Sequence, residues 1–187
     1  QKPVAPEAPI VGTRVVGADE PDLVVTVGKP GEIGRLRYVF TNRGGALKEL
    51  RTGNYFDRVR LDASEKARFE HWTTLLGPVE TDAGPTSSML LRTSSSSRAL
   101  EREPLDQALW SRTVLGPAVA PTGVEFTLAP GTGVTFVKRF RFAPGTPGFG
   151  FELELRNHAL PEASGVREFV FVPGACRPEE SGDTWHQ

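Results

Sequence analysis

Residues 123–142, "GVEFTLAPGTGVTFVKRFRF", constrain the fold more than any other stretch of the chain. Val124, Phe126 and Leu128 alternate with polar residues, "APGTG" interrupts the run, and Val134, Phe136, Phe140 and Phe142 alternate back. Successive side chains of a strand point to opposite faces, so this alternation marks strands with one buried face. A Pro/Gly break between two such strands marks a hairpin. A second break, "APGTPG", leads into "FGFELELRN". There Phe149, Phe151, Leu153 and Leu155 share one face, and Gly150, Glu152, Glu154 and Arg156 share the other.

The same signal recurs upstream. "LVVTV" at 23–27 is a short β-branched run, and "IGRLRYVFTN" at 33–42 places Leu36, Tyr38 and Phe40 opposite Arg35 and Arg37. "ALKEL" follows at 46–50, "LWSRTVL" at 109–115 and "REFVFV" at 167–172, with a short strand inside "TSSMLLRTSSSS". "DASEKARFEHW" at 62–72 reads as a helix start, with Asp62 or Ser64 as N-cap and Glu65 in the first turn, or as a loop into "HWTTLL". The expectation is nine to eleven short strands and little helix: an all-β chain folded as an antiparallel β-sandwich, each sheet burying one face. No fixed repeat points to a propeller or solenoid. "QKPVAPEAPIVG" at 1–12, with Pro3, Pro6 and Pro9, reads as an extended linker.

Charge and motifs narrow the functional classes. The net charge is −1, and no basic block marks a nucleic-acid binder. No stretch has the 18 to 20 or so apolar residues of a membrane span. Cys176, the single cysteine, has no partner for a disulfide and builds no zinc site alone. There is no phosphate-binding loop, dinucleotide fingerprint or nucleophile elbow. His71, His158 and His186 are the only histidines, and no two have metal-ligand spacing. A histidine–carboxylate site for proton transfer on sugars would use His71 or His158; surface histidines are the plainer reading. Trp72, Trp110 and Trp185 read as core or rim aromatics before sugar-stacking platforms. In "VKRFRF" Lys138 breaks the apolar face while Arg139 and Arg141 lie on the other. The strip reads as a solvated sheet face, or else as a surface for an acidic partner or lipid headgroup.

"FTNRGGALKEL" at 40–50 sets two glycines between amphipathic strands. Gly44 and Gly45 suit positive φ at a turn or bulge, Thr41 and Asn42 can hydrogen-bond turn backbone, and Arg43 faces solvent or a carboxylate. No helix start follows the glycines, so a phosphate cradle is disfavoured. The stretch reads as a structural corner made of Thr41, Asn42, Arg43, Gly44 and Gly45, with no catalytic, cofactor or metal residue assigned.

Two blocks resemble a known family. "RYVFTNRGGALKELRTGNYFD" at 37–57 is similar to the opening signature of the periplasmic domain of YidC-type membrane-protein insertases, with Thr41, Arg43, Gly44, Gly45, Leu47, Leu50 and Tyr55 in matching places. The stretch 124–159 resembles that family's later hairpin, with Thr135, Phe136, Lys138, Phe140, Phe142 and Asn157 matching. The resemblance implies a β-supersandwich of the galactose-mutarotase-like type, on the periplasmic side of the bacterial inner membrane. Its membrane anchors would lie outside this chain. It implies a non-catalytic, monomeric domain without cofactors that contacts nascent membrane proteins and Sec translocon accessory subunits. On this reading 1–12 is the linker after a removed anchor, and 13–187 is the sandwich, C-terminally truncated before a connecting helix. The alternative class is a carbohydrate-binding or aldose-epimerase-like sandwich module.

Overall fold

The computed structural model describes residues 14–30, 32, 34–81, 84–94, 104–131, 133–143, 148–158 and 168–174. The linker 1–12, the serines 95–97, Cys176, Trp185 and His186 lie outside the described residues. β1 (Leu23–Val27), β2 (Leu36–Thr41), β3 (Ala46–Phe56) and β4 (Trp72–Leu76) form one antiparallel sheet in sequence order. Short strands β5 (Val79–Thr81), β6 (Gly84–Thr86) and β7 (Leu90–Thr93) follow. β8 (Ser111–Leu115), β9 (Gly123–Leu128), β10 (Val134–Phe142) and β11 (Phe149–Asn157) form the second antiparallel sheet, and β12 (Phe169–Val172) pairs with β7. The described residues hold twelve strands, one more than the upper sequence expectation; the hairpin of β5 and β6 carries too little alternation to be read.

The sheets pack face to face, as the alternation requires. Tyr38 and Phe40 of β2 are fully buried against Phe126, Phe140 and Phe142 of β9 and β10. The Phe40 and Phe140 rings cross at 61° with centroids 4.9 Å apart, an edge-on geometry that aligns ring edge with ring face. The chain is therefore an all-β antiparallel sandwich.

β3 departs from simple alternation. Leu47 and Leu50 are both buried although they lie three positions apart, which in a regular strand places them on opposite faces. A bulge reconciles this: Val39 pairs with Glu49 and Phe40 with Leu47, so Lys48 is the extra residue and turns outward. Between β3 and β4, the helix α1 (Ala63–Ala67) starts at Asp62. The Asp62 carboxylate accepts from the Ser64 and Glu65 amides while the Glu65 carboxylate accepts from the Asp62 amide. This reciprocal cap fixes the helix start without any buried residue in the helix itself. Trp72 follows it into the core, its indole N–H donating to the Lys66 carbonyl at 3.2 Å.

Candidate functional site

The corner between β2 and β3 is where the two sheets are tied together. Gly44 has φ +71° and Gly45 φ +52°, the left-handed region in which a Cβ is strained. Space is short for a side chain as well, most of all at Gly44. A Cβ on Gly44 would stand 2.7 Å from the Asp106 carbonyl oxygen, and one on Gly45 would stand 3.0 Å from the Trp110 ring. Neighbouring backbone locks the turn: the Gly44 amide donates to the Ala108 carbonyl at 2.8 Å and the Trp110 amide to the Asn42 carbonyl at 2.9 Å.

The turn aims its carbonyls inward, where Lys138 meets them. Its side chain is completely buried, and Nζ donates to Gly44 O at 2.7 Å, Gly45 O at 3.2 Å and Met89 O at 2.8 Å. An ammonium has three N–H donors, so all are used. The charge also lies 4.5 Å from the Trp110 ring, within cation–π range. Burial pushes the Lys138 pKa down to about 7, with the Asp106 carboxylate pulling the other way. Met89, held by this bond, is a non-glycine residue at φ +60°. The reading of Lys138 as part of a solvated strand face is thus corrected. It occupies an inward position between Phe136 and Phe140 because three turn carbonyls there need donors.

The remaining corner residues divide their work. The Thr41 hydroxyl accepts from the Arg43 amide at 3.3 Å, a turn bond as expected. Asn42 is buried and reaches away from the turn instead, donating from Nδ2 to Ala18 O at 2.6 Å. Arg43 lies half-exposed, 3.8 Å from the Asp19 carboxylate.

A groove of about 660 Å³ opens beside the corner. Thr41, Arg43, Lys48, Ser87, Arg92 and Asp106 supply its polar lining, and Pro78, Pro85 and Pro104 stiffen its walls. Arg92 Nε donates to Asp106 at 3.0 Å and Nη2 to Thr86 at 3.1 Å. The bulge that turns Lys48 outward is what delivers its ammonium to this groove. No family model, curated protein or solved structure matches the chain.

The other sequence candidates lie elsewhere. His71 Nδ1 stands 3.3 Å from Asp57, which meets the distance expected of an acid–base pair, but neither residue lines the groove. His158 directly follows β11, and its amide donates to Gly133 O. Trp72 and Trp110 are buried, which leaves neither face free to stack on a sugar. Arg139 and Arg141 do project from β10 on the face opposite Phe140. Arg139 is clasped by Glu125 at 2.6 Å, Glu154 at 2.9 Å and Glu152 at 3.1 Å, and those carboxylates raise its pKa. Among the described residues no group of three His, Cys, Asp or Glu is placed to hold a metal.

Sequence reasoning missed Lys138 as the corner's donor, Asp106 as the carboxylate acting on it, and the strap of Asp19, Glu20 and Asp22 against the rim. Only Lys138 left a signal, as a charge at an inward-facing position of an aromatic strand.

Proposed function

We propose that the chain is the non-catalytic periplasmic domain of a YidC-type membrane-protein insertase. It would serve as a scaffold and interaction surface for nascent membrane proteins and Sec translocon accessory subunits, on a β-supersandwich of the galactose-mutarotase-like type. One observation carries the reading. The two segments that resemble the family are distant in the chain, and the resembling residues themselves close on each other: Lys138 of the later block donates to the carbonyls of Gly44 and Gly45 of the earlier one, 94 and 93 residues before it. The contact constrains both blocks at once, since the carbonyls that the ammonium needs are presented by a turn in which Gly44 and Gly45 both have positive φ. The groove beside the corner gives a scaffold a concave surface of useful size.

The test is the complete reading frame. The proposal expects one membrane span ahead of residue 1 and several after residue 187. A frame encoding no spans would refute it. Photo-crosslinkers at Arg43 and Gln107, both at the groove, are expected to capture a translocon subunit in membranes of the source cell.

A further inference from the structure

The segment 18–22, "ADEPD", runs along the groove's rim, and each of its five residues is gripped by a side chain of the sandwich or matched to a base. Asn42 donates to Ala18 O at 2.6 Å and Arg112 Nη1 to Pro21 O at 2.8 Å. The carboxylates are each matched: Asp19 with Arg43 at 3.8 Å, Glu20 with Arg112 at 2.6 Å, Asp22 with Lys48 at 2.6 Å. Side-chain donors to backbone carbonyls, with bases spaced for carboxylates along an extended chain, are the elements of acidic-peptide recognition. Arg43 and Lys48 also line the groove, so both cations face the strap on one side and the open groove on the other. The groove lining counts three bases, Arg43, Lys48 and Arg92, against the single acid Asp106, in a chain whose net charge is −1.

We propose that this groove binds an extended, carboxylate-rich peptide segment, and that the chain's own residues 19–22 act as its tethered competitor. The strap's two contacts to the groove cations lie where solvent can displace them: Lys48–Asp22 is short, but its side chains are 46% and 33% exposed. The Arg43–Asp19 pair is long and its side chains are 52% and 74% exposed, a setting in which water and salt screen the attraction. A tethered ligand competes at an effective concentration on the order of millimolar, so neutralising it uncovers the site. The inference rests on the strap and groove alone and does not depend on the insertase reading.

The experiment titrates the capped peptide ADEPD, and its neutral counterpart ANQPN, into the whole chain at low salt. Amide shifts in an NMR spectrum report binding. The Asp19→Asn/Asp22→Asn variant is expected to bind ADEPD at least five-fold more tightly than the parent chain, with shifts at Ser87, Arg92 and Gln107. Adding Arg43→Gln and Lys48→Gln to that variant is expected to abolish the binding, as is raising the salt to about 0.5 M. The altered side chains are polar surface groups, and unchanged far-UV circular dichroism checks that each variant is folded. The proposal is overturned if the strap variant does not bind ADEPD, if the quadruple variant binds it equally, or if ANQPN binds as well. Equal shifts from inorganic phosphate would also overturn it, since they would mark a small-anion surface rather than a peptide site.

Discussion

Replacing Lys138 by Met tests the corner most directly. Methionine keeps most of the stem and removes the ammonium, so three buried carbonyls, Gly44 O, Gly45 O and Met89 O, lose their donor. Each orphaned buried acceptor costs about 1–3 kcal/mol, while removing a desolvated charge offsets several kcal/mol of that. Breaking a buried charged contact from one side leaves a net loss of about 3–5 kcal/mol, and the lower end is expected here because no bare countercharge is left behind. The pH dependence sharpens the test. Lys138 titrates near 7 in the fold against 10.5 unfolded. Between those values the unfolded chain holds a proton the native chain has released, so parent stability rises with pH, by at most roughly 1.4 kcal/mol per unit. The Met variant has no such group, and its deficit should widen from pH 7 to pH 9. Urea denaturation followed by tryptophan fluorescence at pH 6, 7, 8 and 9 measures both effects. A variant as stable as the parent at pH 7, or one that keeps the parent's alkaline slope, would refute the account.

Gly44→Val and Gly45→Val should each lower stability by about 1–3 kcal/mol from positive φ alone, and Gly44→Val by more, because its Cβ meets the Asp106 backbone; thermal melts decide. Asp62→Ala removes the carboxylate that accepts from the Ser64 and Glu65 amides and leaves only the residue-62 amide bond to Glu65, so amides of 63–67 should exchange faster with solvent while the global melting temperature barely moves. Glu154 is held down to about 2 by its hydrogen bonds to Arg156 and Arg139. Its contribution is present above the usual carboxylate range and is lost as pH falls toward 2, so Glu154→Gln should shrink the acid-unfolding limb while leaving the region above pH 5 unchanged in shape.

The sandwich was legible because its strands are locally self-describing. Phe126 and Phe140 stand at even spacings from their apolar neighbours, and a Pro/Gly turn separates them. The Asp62 cap was legible for the same reason, since donor and acceptor lie three residues apart. The strand nature of 72–76 was not, because β4 is short and follows directly on a turn of helix. The corner's glycines showed in the sequence that a sharp turn was needed, and their φ values agree. What the turn presents its carbonyls to could not be read: Lys138 lies 94 and 93 residues from its glycine acceptors and 49 from Met89. The bulge at Lys48 and the strap on the rim were hidden likewise, since each depends on pairing across strands. The groove they border belongs to tertiary structure alone.

The Lys138 anchorage also bears on the order in which the chain is made. Gly44, Gly45 and Met89 emerge from a ribosome long before β10 does. Until then the first sheet has neither its covering layer nor the donor its corner requires. Contacts of such sequence separation put the molecule among slow, high-contact-order folders, in the range of milliseconds to seconds. The β2–β3 corner should thus gain its protection in the last kinetic phase together with β10, as pulsed hydrogen exchange during refolding would register. Early protection of Gly44 and Gly45 would contradict it. For roughly ninety residues of synthesis, the first sheet is a half-built surface whose apolar face is open to whatever is nearby.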